Sequence, residues 1–141
     1  MEDHPHDVYL VFPPHPAWVR AARETVRTLL AAADRTDLTD TAVLLTSEAV
    51  TNAVNACAAE DCTAPVTLFA ALPDPVGDRL RVVVHDEAPG LPVYPAATAD
   101  DDESGRGLRL ISYGADAWGV CAQAPGKGKV TWFEVAPMGG S

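Results

Sequence analysis

Apolar and polar positions change their period along this chain, and each change marks an element. Residues 8–12 form a short strand-favouring run that ends at Pro13, Pro14 and Pro16, the last of which suits the first position of a helix. Val19, Ala22, Val26, Leu29, Leu30 and Ala33 then recur at helical spacing and predict a first helix. Beyond a polar break, Leu38, Ala42, Leu45, Ala49, Ala53 and Ala56 mark the buried stripe of a second helix, capped by Asp37 or Thr39. Residues 65–72 and 79–86 read as strands, and the turn-rich 73–78 between them makes an antiparallel pair. Residues 87–104 show no period and read as a long loop, of the kind that in a compact domain is usually functional. A glycine turn and short helix over 105–114 precede a last hairpin, 118–122 with 130–136, around 125–129. The fold class is α/β: a two-layer sandwich with a mixed, mostly antiparallel sheet and helices on one face. The expectation is one domain over residues 1–141, with 1–7 and 137–141 as flexible tails.

Composition narrows the function. Hydrophobic residues make up 48% and charged residues 21%, a globular balance, and no apolar run approaches the roughly 20 residues that a membrane span needs. Residues 1–7 carry three acids and no Lys or Arg, unlike a secretory leader, so a cytoplasmic location is expected. The net charge of −10 argues against a nucleic-acid partner, which needs clustered Lys and Arg. Cys57, Cys62 and Cys121 form neither an even framework nor a Cys-x-x-Cys pair and read as small buried or half-buried side chains. His4, His6 and His15 lack the further ligands of a metal site, and Asp100 to Glu103 read as a solvated acidic run.

Three places break the pattern. On the second helix Glu48, Asn52 and Asn55 share one side at the margin of the apolar stripe. A buried Asn is ordinarily satisfied within the protein, but an amide oxygen and a carboxylate are also the hard ligands and bases that magnesium and its waters use. In the second of the paired strands Leu80, Val82 and Val84 alternate with Arg81, Val83 and His85, and the parity carries Asp86 onto the apolar face and His85 away from it. Asp86 is either a turn cap or an acceptor for a donor such as an exocyclic amine, with Gly90 allowing a flat ring to approach. Gly105-Arg106-Gly107-Leu108 is either a plain turn or an anion site at a helix start, and it matches neither a Walker loop nor a Rossmann fingerprint.

Taken in order, Glu48-x-x-x-Asn52, Asp86-x-x-x-Gly90 and Gly105-x-Gly107-Leu108 resemble the N box and two glycine boxes of the histidine-kinase-like ATPase superfamily. Within it the chain resembles the bacterial anti-sigma factor serine kinases through residues 47–54, 105–111, 115–120 and 129–135. The resemblance implies ATP and Mg²⁺ as cofactors. It implies that Asn52 holds the metal against the phosphates, Glu48 is the base toward an incoming hydroxyl, and Asp86 accepts from the adenine amine. Asn55, Gly90 and Leu108 complete the nucleotide site, Gly105, Arg106 and Gly107 line the phosphates, and 87–104 is the lid. The implied partners are an anti-anti-sigma antagonist, phosphorylated on serine or threonine, a sigma factor, and a second copy in a homodimer. The alternative is a non-catalytic module that sequesters a regulator under ATP control. The chain departs from the pattern at Ala88, where a glycine is usual, at Ala56, where many relatives have His, and at Val130, where Thr is expected beside the adenine. Thr131 is expected to point to the opposite face.

Overall fold

The computed structural model describes residues 6–72, 79–89, 110–111, 114–122 and 128–137. Among them are β1 (His6–Phe12), α1 (Trp18–Ala32), α2 (Thr39–Ala59), β2 (Val66–Leu72), β3 (Leu80–Asp86), β4 (Ala117–Ala122) and β5 (Lys129–Val135). The strands form one sheet in the order β1-β2-β3-β5-β4, and every described pairing is antiparallel. Both helices lie on one face, α1 over β1 and β2, α2 chiefly over β3 and β5. The α/β sandwich read from the sequence is therefore the fold, with a wholly antiparallel described sheet in place of a mixed one.

The core follows from the two periods. Strand residues of one parity, Leu68, Ala70, Leu72, Leu80, Val82, Val84, Phe133 and Val135, meet Ala22, Val26, Leu29 and Leu30 of α1 and Ala42, Leu45, Ala49 and Ala53 of α2. Alanines along α2 let the helix lie close to the sheet. Thr46, Val50 and Val54 are buried as well, and α2 packs against α1 besides the sheet; Cys57 is buried near its end, within reach of the ends of β3 and β5. Thr46 Oγ1 is buried with no hydrogen-bond partner among the described residues.

Element ends correct several expectations. The first strand begins at His6, so residues 6 and 7 belong to the sheet and not to a tail; residues 1–5 and 138–141 lie outside the described residues. Pro16 stands before α1, whose first helical residue is Trp18. Neither Asp37 nor Thr39 caps α2, because a 3-10 turn, Thr36–Leu38, runs straight into it and Leu38 takes the capping place without a side-chain bond. Asp37 is held by Arg35 at 2.9 Å, and that hydrogen bond lowers its carboxyl below the usual value. Both helices end through an aspartate with positive φ, Asp34 and Asp61, where glycine is the commoner choice. The matching six-to-one bonds run from Arg35 N to Leu30 O and from Cys62 N to Cys57 O.

The sheet's other face is left uncovered by the two helices. Tyr9, Phe69, Val83, Trp132 and Gly119 form one row across all five strands. Tyr9 is 70% exposed and Val11 59%. Trp132 lies against Gly119, where an added Cβ would come within 2.6 Å of the indole nitrogen, and Arg81 stacks over the ring at 5.4 Å.

Candidate functional site

At about 100° per residue, Leu45, Glu48 and Asn52 fall on one flank of α2 with Asn55 beside them. Asn52 is 8% exposed, while Glu48 and Asn55 are half-buried. Among the described residues nothing stands within hydrogen-bond distance of the Asn52 amide or the Glu48 carboxylate; Asn55 has a partner. Leu45 on this flank packs on Gly114, where a Cβ would come within 3.2 Å of it. Leu110, Ile111 and Gly114 are helical, with Ile111 buried and its carbonyl accepting from Ala115 N at 2.9 Å. The end of the segment that follows the glycine pair is thus set against the flank of α2 that carries Glu48 and Asn52.

A second polar group sits at the end of β3. Asp86 is 1% exposed, on the helix face, as alternation along the strand requires. Its Oδ1 accepts from the Ala88 amide at 3.0 Å, and its Oδ2 accepts from Lys129 Nζ at 2.8 Å. Lys129 stands directly opposite on β5 and is 6% exposed. The pair lies within electrostatic reach of Cys57. Burial first, then Cys62 and the Asp86 carboxylate, push that thiol up to about 12 against the opposing charge of Lys129. The described residues thus hold two polar groups: the Asp86–Lys129 pair at the end of β3, and Asn52 with Glu48 on α2.

Two expectations change here. Thr131 does not point away: it is buried in the same row as Val84 and Val120, on the helix face with Asp86, because β5 pairs with β3 through Asp86 and Lys129. Val130 takes the other face. Ala88 is buried without positive φ, so its place does not call for glycine. His85 is half-buried on the face away from the helices. Gly90, Gly105, Arg106, Gly107 and Leu108 lie outside the described residues, as does the loop after Pro89. Lys129 was missed by the sequence reading, which left it in a hairpin turn. The available signal was the alternation of β5, which, run back one residue from Val130, sets Lys129 on the face of Thr131, Phe133 and Val135.

The donor set suits a nucleotide and its metal in kind. The Asn52 amide has no hydrogen bond among the described residues and is not one of the enclosed unpartnered atoms, so it is an available hard ligand. Among those residues no three His, Cys, Asp or Glu side chains cluster as metal ligands. Residues 12–133 match the family model described as histidine kinase-like ATPase domain.

The chain belongs to the histidine kinase-like ATPase domain family.

The match runs from the end of β1 into β5 and so takes in both helices and both polar groups. No curated protein matches the chain. An ATPase domain of this family implies ATP binding. No described helix is long and apolar enough to cross a membrane.

Proposed function

We propose that this histidine kinase-like ATPase domain is an anti-sigma factor serine/threonine protein kinase. It uses Mg²⁺-ATP to phosphorylate an anti-anti-sigma antagonist, and it binds a sigma factor as its other partner. The observation that carries the reading is the half-buried Glu48 one helical turn before Asn52, on the same open flank of α2, with no described group bonded to its carboxylate. A carboxylate spent on a structural ion pair could not accept a proton; this one is available to take it from an incoming serine or threonine hydroxyl. Asn52 holds the metal, and Asp86 receives the base. When bound, Mg²⁺ neutralises charge on the phosphates during transfer. Asn55, Gly90, Gly105, Arg106, Gly107 and Leu108 belong to the nucleotide site in this proposal. Its location is cytoplasmic, where sigma factors act. A homodimer is also part of the proposal.

The test is transfer of labelled phosphate from ATP to an antagonist encoded near the gene, with nucleotide binding measured in parallel. Labelling of a serine or threonine supports the kinase. ATP binding without labelling, together with ATP-dependent capture of a regulator, replaces it with the non-catalytic binding module.

A further inference from the structure

The Asp86–Lys129 pair contains more donors than the protein uses. An ammonium has three N–H donors. Lys129 is 6% exposed, and among the described residues its single partner is Asp86 Oδ2, at 2.8 Å. Burying an ion is costly unless its remaining protons find acceptors. Nor is the ammonium free to swing: the β3–β5 register fixes Lys129 opposite Asp86, and its stem is enclosed. Gly128, next to it, packs directly on the Asp86 and Glu87 backbone. The end of β3 therefore holds an acceptor and a donor side by side, both fixed. The edge of adenine carries the complementary order, an exocyclic amine that donates and, beside it, ring nitrogen N1 that accepts.

We propose that Lys129 is a second base-reading residue of this site, donating to N1 of adenine while the Asp86 carboxylate accepts from the neighbouring amine. The inference rests on the ATP reading of the site. It gives the lysine a role that a counter-ion would not have: binding depends on one ring nitrogen of the ligand.

Calorimetry on the full chain with Mg²⁺ tests it, using ATP and 1-deaza-ATP, in which N1 is replaced by C–H. Wild type is expected to bind 1-deaza-ATP roughly 10- to 100-fold more weakly than ATP, the range for a hydrogen bond from a charged donor. Lys129→Met keeps an apolar stem and removes the donor. It is expected to bind ATP as weakly as wild type binds 1-deaza-ATP, and to bind the two nucleotides equally. The wild-type comparison needs no substitution and can overturn the proposal even if the variant does not fold. Equal binding of the two nucleotides by wild type overturns the proposal. So does tighter binding of ATP by Lys129→Met, which makes the lysine a counter-ion that the base displaces. Wild type that binds no ATP at all brings down the ATP reading itself, a result distinct from both.

Discussion

Gly128 has no room for a side chain: a Cβ placed on it would land on the carbonyl oxygen of Asp86 and within 2.7 Å of Glu87 Cα. Its φ of +87° is one that other residues adopt only with strain. This contact locks the start of β5 onto the end of β3 and so sets Lys129 against Asp86. Gly128→Ala is expected to destabilise the fold by at least ~2 kcal/mol, the combined effect of left-handed backbone strain and a contact with atoms that cannot move aside. It should also weaken ATP binding by displacing the Asp86 end. Denaturant unfolding and nucleotide titration of the variant check the two parts, and an unchanged midpoint would show that the strands can part without cost.

Thr46 gives the opposite kind of prediction. Its hydroxyl is buried in the core without a partner among the described residues, and a buried unsatisfied polar group costs about 1–3 kcal/mol. Val has nearly the same shape and no such group. Thr46→Val is expected to raise stability by ~1 kcal/mol, read as a melting temperature a few degrees higher. A lower melting temperature would mean that the hydroxyl has a partner in solution.

The architecture was legible because it depends on period alone. The stripe from Leu38 to Ala53 and the alternation from Leu80 to Asp86 each name a buried face without reference to the rest of the chain. Asp86 could be placed on the apolar face for the same reason. Its partner could not. Lys129 is 43 residues away, follows a glycine-rich turn, and carries a charge that in isolation reads as solvated; only the β3–β5 register brings it under cover. The same register turns Thr131 inward, contrary to the expectation for that position. At the start of α2, Asp37 and Thr39 are both good capping residues, but a 3-10 turn supplies the entry instead, and nothing in the local sequence distinguishes the two.

Cys57 makes stability depend on pH at the alkaline end. Its thiol is pushed from 9.0 to about 12 in the fold, by burial first and then by Cys62 and the Asp86 carboxylate, against the attraction of Lys129. Because the folded value is raised, the unfolded chain releases this proton first. The contribution is fully present below about pH 9 and is lost as pH rises toward 12. Denaturation midpoints are expected to fall across that interval, and Cys57→Ala should flatten the fall. Thiol labelling of the native protein at pH 8 should modify exposed Cys121 first and leave buried Cys57 until the chain unfolds. Early labelling of Cys57 would contradict its burial.

Glu48 and Asn52 lie four residues apart on one flank of α2, yet the proposed mechanism gives them separable effects. Phosphoryl transfer depends on positioning and on charge neutralisation by the metal, with a base to receive the hydroxyl proton. Glu48 is half-buried at the edge, so shortening it disturbs little packing. Glu48→Ala is expected to leave ATP affinity nearly unchanged and to slow transfer roughly 10²- to 10⁴-fold, the usual contribution of a positioned general base. Asn52 is buried, and its amide is the ligand that the metal would use. Asn52→Ala should therefore weaken Mg²⁺-dependent ATP binding as well as transfer, and the weakening should shrink when binding is measured without magnesium. Asn52→Asp keeps an oxygen ligand at the same place and should restore part of the magnesium-dependent affinity, which a purely structural role for Asn52 would not produce. Measuring affinity and single-turnover transfer side by side separates the two residues. If Glu48→Ala lowers affinity as much as rate, Glu48 acts in binding and the base must be sought elsewhere.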